Sequence, residues 1–271
     1  MKFKTTILLQ LLPLLQLASA VPRHKTTTAT GPTGTTAPPA STSCAPGAYI
    51  SVLPNFNLQL PYGSSPTNPT TIEGKDLAGC GGYQNASWFY WDSAGGYMVM
   101  KAPPLPSGAS TCSHTSGSTH CRTELREENP SSWSPTGTNT MTVTLKVPTA
   151  DDGDYGTVIG QVFSADYSKP VAELFYNPAG TITIGVEQTT AGGHSLFTKV
   201  GSIPEGKEFT YGLSYTHDVL GVSVNGGALQ TFPTSQLGNP NSYFKVGDYD
   251  QGQKVSAEVD IYSIKVVHNS S

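Results

Sequence analysis

Apolar and polar residues alternate with a period of two along most of the second half of the chain. Met141 to Val147 reads Met-Thr-Val-Thr-Leu-Lys-Val, and similar runs follow at Thr157 to Phe163, Val171 to Tyr176, Thr181 to Val186, Phe209 to Tyr215, Val219 to Val224 and Val255 to Val267. Successive side chains on an extended strand point to opposite faces, so this period predicts strands with one face buried. Asp152-Gly153, Asn177-Pro178, Asn225-Gly226-Gly227 and Gly238-Asn239-Pro240 separate the runs with residues suited to turns. No long stretch shows a 3.6-residue apolar period. The pattern therefore predicts an all-β protein, a sandwich or β-jelly roll of antiparallel sheets, and leaves the strand order open.

The N-terminal residues differ in kind. Lys2 and Lys4 precede an apolar run from Ile7 to Leu17, and Ala18-Ser19-Ala20 follows as a small-residue cleavage site. Residues 1–20 thus predict a signal peptide and a secreted, extracellular protein. No later segment is long enough to span a bilayer, so no membrane partner is expected. Residues 21–43 are rich in Thr, Ser and Pro and predict an extended linker, a short pro-peptide ending near Lys25 being the lesser alternative. Residues 44–271 are long enough for one large domain. That stretch holds all four cysteines, an even count that predicts two disulfides in an exported chain. Three pairings exist. Cys112–Cys121 with Cys44–Cys80 is expected, because the first closes a short local loop. Asn85-Ala86-Ser87 and Asn269-Ser270-Ser271 are glycosylation sequons.

Charge narrows the partners. The chain carries a formal net charge of -4 at pH 7, which argues against nucleic acid, so an anionic ligand needs a local cationic site. Arginine is scarce: Arg122 and Arg126 sit four residues apart, and Arg23 is the third. On a strand, Arg122, Glu124 and Arg126 share one face, and the pattern predicts a bidentate anion receptor whose two guanidiniums Glu124 holds. The bland alternative is a solvated edge of alternating charge. Gln161 interrupts the apolar strand from Val158 and must face an open surface or find partners. Tyr243, Lys245, Tyr249 and Gln251 fall on one parity, a polar stripe suited to a sugar-binding groove or to plain solvent exposure.

Together these segments resemble polysaccharide lyase family 7, the alginate lyase 2 family. The chain has Arg-Thr-Glu-Leu-Arg at 122–126 and Tyr-Phe-Lys-Val-Gly-Asp-Tyr-Asp-Gln at 243–251, in the family's order and approximate spacing. The resemblance implies a jelly roll with a concave groove for an acidic polysaccharide, cleaved by β-elimination without a cofactor. It assigns catalysis to Arg122, Gln161 and Tyr249, and substrate binding to Glu124, Arg126, Tyr243, Lys245 and Gln251, with His120 and Phe163 also expected at the substrate. Arg122 and Gln161 match the positions that neutralise the uronate carboxylate, and Tyr249 matches the catalytic tyrosine. The family's middle motif ends in histidine where this chain has Phe163. That departure implies either a groove that only binds, or a Tyr249 that handles both protons. The second works where the C5 proton and the leaving oxygen lie on one side of the sugar, as in D-mannuronate or D-glucuronate but not L-guluronate. His120 could stand in for the missing imidazole, though a strand-end residue beside Cys121 is the plainer reading.

Other chemistries find less support. A glycoside hydrolase needs two carboxylates across a cleft; Glu124 with Glu173 or Glu187 could be nominated, but no spaced acidic pair recurs on one strand. The GxSxG and HExxH motifs do not occur. Asp151-Asp152-Gly153-Asp154 reads as an acidic turn before it reads as a calcium loop, so no metal is expected. A monomer is expected. A carbohydrate-binding module on the same fold is the competing class.

Overall fold

The computed structural model describes residues 44–104 and 112–269, so the expected leader and linker lie outside the described residues. Fifteen strands form: β1 (Phe56–Ser65), β2 (Asn68–Ile72), β3 (Phe89–Asp92), β4 (Tyr97–Ala102), β5 (Arg122–Glu127), β6 (Thr138–Thr149), β7 (Thr157–Ser164), β8 (Pro170–Tyr176), β9 (Thr181–Val186), β10 (Leu196–Ser202), β11 (Phe209–Thr216), β12 (Val219–Val224), β13 (Gln230–Pro233), β14 (Ser242–Tyr249) and β15 (Ala257–Asn269). Among the described residues, helix is confined to single 3₁₀ turns. Every strand pairing is antiparallel. One sheet has the order β10-β9-β8-β7-β14-β5-β1-β2, the other β13-β12-β11-β6-β15-β4-β3.

The two sheets pack face to face because the period-two pattern gives each an apolar side. On β6 the alternate residues Met141, Val143, Leu145 and Val147 are buried. They meet Leu58, Leu125, Val162, Phe244 and Val246 of the first sheet in one core. Each such side chain contributes roughly 1.5–3 kcal/mol when fully buried. Tyr211 of the second sheet reaches across to donate a hydrogen bond to the Ile159 carbonyl at 2.8 Å. The strand it meets carries Gly160, where an added methyl would lie 2.4 Å from that hydroxyl.

All seven runs read from the alternation are strands, the last shifted to Ala257–Asn269. Apart from β5 and β14, which the motifs mark, six further strands have no such signature. In β10 four consecutive residues are exposed, β13 spans four residues, and β1 alternates only through Phe56, Leu58 and Leu60. An edge strand with little to bury leaves no period to read. The cysteines pair as expected, Cys44–Cys80 and Cys112–Cys121. Asn85 lies in the turn before β3, its Oδ1 accepting the Ser87 amide at 2.9 Å, and Asn269 is exposed at the end of β15.

Candidate active site

The outer face of the eight-stranded sheet carries a groove of about 570 Å³. Three adjacent strands place its chemistry. Antiparallel pairing sets Tyr249 opposite Arg122 and Lys245 opposite Arg126 on β14 and β5, and Lys245 opposite Gln161 on β7. All of these side chains line the groove. The motifs, far apart in sequence, thus meet because β14 lies between β5 and β7. A register slip between Val246 and Tyr249 turns Val158 to the Tyr249 side, where it packs with Phe175 and Tyr249. Gly247, at φ 146°, permits the slip: a methyl there would stand 2.5 Å from the Thr123 carbonyl oxygen.

Glu124 is the hub. Buried almost completely, it accepts from Arg122 Nη1 at 3.0 Å and also from Lys245 Nζ and Gln161 Nε2. Burial alone would raise its carboxyl pKa, but Lys245 and Arg122 overcome that and hold it below the usual carboxylate range. The expectation that Glu124 holds two arginines is corrected here. Its second cation is Lys245, because Arg126 turns away to pair with Glu128 and lay its guanidinium 4.1 Å from the Tyr243 ring centroid. Burial, helped by the like charge of Arg122 and opposed by Glu124, pulls Lys245 down to about 8. Arg122 Nε and Gln161 Oε1 are buried without a hydrogen-bond partner, so hydrogen-bonding capacity remains unspent at the centre of the groove.

Tyr249 sits under the Arg122 guanidinium, which lies 3.6 Å from its ring centroid. Its hydroxyl hydrogen-bonds the Ser118 hydroxyl at 2.7 Å. Burial raises the phenol above its ordinary value, with Arg122 and the Ser118 bond pulling the other way. The resting group is therefore the neutral phenol. His120 stands edge-on to that ring at 6.0 Å, and burial followed by Arg122 lowers its pKa, so it is uncharged at neutral pH. Phe163 stacks on Tyr243 with centroids 5.3 Å apart, and Lys245 Nζ lies 5.2 Å from its ring.

Gln251 does not continue the stripe. The strand ends at Tyr249, and the Gln251 amide folds back onto the Tyr249 and Asp250 carbonyls. It lines a neighbouring cavity instead. Two of the acids between 151 and 154 serve the backbone: Asp151 accepts the Gly153 and Gln251 amides, and Asp152 accepts three amides from 253–255. Ser118 escapes a reading of the sequence, and Glu173 is read there only as a candidate hydrolase acid. Ser118 belongs to the loop closed by Cys112–Cys121 and carries no pattern beyond that bracket. Glu173 sits opposite Gln161 on β8 and projects into the groove. Burial, then the charge of Glu124, pushes its carboxyl up to about 7. The other nominated acid, Glu187, is occupied by the amides of Gln188, Thr189 and His194.

A jelly roll whose groove joins a buried Arg-Glu-Lys cluster to a tyrosine is the arrangement of a polysaccharide lyase. The profile of the alginate lyase family matches residues 52–268, and the chain belongs to that family, polysaccharide lyase family 7. Among solved structures, alginate lyase A1-II′ is 26% identical, with a TM-score of 0.70 over 84% of this chain and 100% of that one. A His-to-Asn, Tyr-to-Phe double variant of the same enzyme, in complex with a substrate written GGMG, gives 0.71 at 26% identity, covering 84% and 98%. The Klebsiella pneumoniae alginate lyase shares the fold, at 21% identity and a TM-score of 0.69 over 83% and 99%. A search of curated proteins found no match.

Proposed function

We propose that this chain cleaves a 1,4-linked D-uronan, polymannuronate or β-1,4-glucuronan, with Tyr249 serving as both base and acid. The observation that carries the reading is the placement of the Tyr249 phenol beneath Arg122 and beside the Gln161–Glu124–Lys245 cluster. The family relation and the A1-II′ complexes with a substrate and with a product written GGG support an acidic glycan in this groove.

A uronate C5 proton is too weakly acidic to remove while the adjacent carboxylate keeps its charge. Arg122, Gln161 and Lys245 supply donors to that carboxylate and to the enolate charge that develops on it. Tyr249 phenolate takes the C5 proton, the C5–H electrons form the C4–C5 double bond, and the C4–O4 bond breaks. The phenol then returns its proton to O4, restoring phenolate and leaving an unsaturated uronate end. One group can do both only when C5–H and O4 share a face of the ring, as in D-uronates. With Phe163 where the family has histidine, nothing on β7 serves the opposite face. The phenol's raised pKa makes its basic form a minority at neutral pH, so activity rises as the solution turns alkaline.

The test follows ultraviolet absorbance of the unsaturated product on polymannuronate, glucuronan and polyguluronate. Absorbance is expected on the first two and little on the third. Tyr249→Phe should lose at least about 100-fold in kcat while melting like the parent. Silence on every uronan overturns the lyase reading, and an active Tyr249→Phe overturns the residue's role.

A further inference from the structure

Beyond Tyr249 the groove runs on across β8, β9 and β10 into a second cavity of about 640 Å³, and Pro170 and Glu173 line both. Its chemistry reverses. The first cavity sets Arg122, Arg126, Lys169 and Lys245 against Glu124, Glu128 and the shared Glu173, and Glu124 and Glu128 are each paired with a cation. Among the described residues, the second is lined by the carboxylates of Asp152, Asp154 and Glu187 and the shared Glu173, with Lys254 and His194 as its basic side chains. Asp152 and Glu187 are fixed in place by the backbone amides they accept.

The same cavity has an aromatic wall. Tyr155 and Phe197 stack with centroids 3.8 Å apart and planes 8° from parallel, and Phe175 meets Phe197 edge-on at 5.7 Å. Tyr155 and Phe197 keep 38% and 40% exposure, so the stack offers surface to a ligand. Gly185 lies opposite Phe197 on the neighbouring strand, and a methyl there would be 2.8 Å from the ring. The bare glycine lets the ring settle on the sheet.

These features select against a carboxylate and for an apolar ring face. A homouronan carries one negative charge on every sugar, and any uronate in this cavity would face the carboxylates of Asp152, Asp154 and Glu187, which is unfavourable. A neutral pyranose brings no such charge and offers C–H faces that pack on aromatic planes. We infer that the cavity over β8–β10 is a subsite for a pyranose lacking a carboxylate. The preferred substrate is then a mixed glycan, in which the uronate that is cut has a neutral sugar on the side bound beyond Tyr249. This rests on the lyase reading above and sharpens its substrate class.

The test compares β-1,4-glucuronan with the same polymer after carbodiimide–borohydride reduction of about half its carboxylates to primary alcohols, which leaves backbone and linkage unchanged. Binding is read by affinity electrophoresis with Tyr249→Phe protein, and kcat/KM with the parent. The part-reduced polymer should bind more tightly and be cut faster per remaining uronate. Adding Phe197→Ala should weaken its binding about tenfold and leave the unreduced polymer unaffected. Asp154→Asn should improve binding of the unreduced polymer alone. Equal binding of the two polymers, or equal loss on both in Phe197→Ala, overturns the subsite. Because binding is read without turnover, a protein that cuts neither polymer still reports on the subsite while refuting the lyase reading.

Discussion

Glu124→Gln is the sharpest probe of the hub. It keeps the size of the side chain and removes the charge that faces two buried cations, Arg122 and Lys245. Breaking a buried ion pair by removing one partner costs about 3–5 kcal/mol, and the open groove admits water that favours the low end, about 3 kcal/mol. For a domain of this size that lowers Tm by roughly 6–12 °C. The loss depends on pH in a direction fixed by Lys245, whose ammonium is already down to about 8 and loses the Glu124 charge that opposes the effect of burial. Near pH 9 the substituted protein sheds the lysine proton, so less uncompensated charge stays buried. Thermal melts followed by circular dichroism at pH 7 and pH 9 should show a large Tm deficit at pH 7 and a smaller one at pH 9. A deficit below about 2 °C at pH 7, or one that grows with pH, refutes the claim that Glu124 balances these cations.

Three further outcomes are expected. Ser118→Ala removes the hydrogen bond that lowers the Tyr249 pKa, so the acidic limb of the pH–rate profile should move to higher pH; an unmoved limb detaches Ser118 from the phenol. Phe163→His puts an imidazole on the β7 side of the site, and the polyguluronate-to-polymannuronate rate ratio should rise at least about tenfold, an unchanged ratio counting against the one-face argument. Burial raises the carboxyls of Asp250, Asp260 and Glu173 to about 8, 7 and 7. The folded state then holds protons that the unfolded chain, with carboxyls near about 4, releases, so their stabilisation is full below about pH 4 and is lost as pH rises through 7–8. Scanning fluorimetry should give a higher Tm at pH 5 than at pH 8; the reverse order would show that these groups are not buried as protonated acids.

How far the sequence could be read follows from what each feature depends on. The alternation of β6, β7, β11 and β12 is local, since each strand buries one face against the core, and it was legible. So were the motif strands β5 and β14, because Arg122 and Tyr249 keep their parity on them. The partner of Glu124 was not. Lys245 reaches it through the register between β5 and β14, residues more than a hundred positions apart. Gln251 was misplaced because its parity fits the stripe, while the strand stops at Tyr249 and Asp250 turns the chain by accepting the Gly252 amide. Glu173 was named only as a hydrolase candidate. Its position matters because β8 lies beside β7, a fact of sheet order rather than of pattern.

Sheet order also divides the molecule's capacity for change. The strands that hold Arg122, Gln161, Lys245 and Tyr249 are interior, each paired on both sides, so a substitution that alters their spacing must be absorbed by two neighbours at once. The flanking hairpins β1–β2 and β9–β10 have a free margin and can lengthen, shorten or change their outward residues without moving the phenol. Diversification of the glycans that such a scaffold accepts should therefore accumulate at the rims of the sheet while the three central strands stay nearly constant.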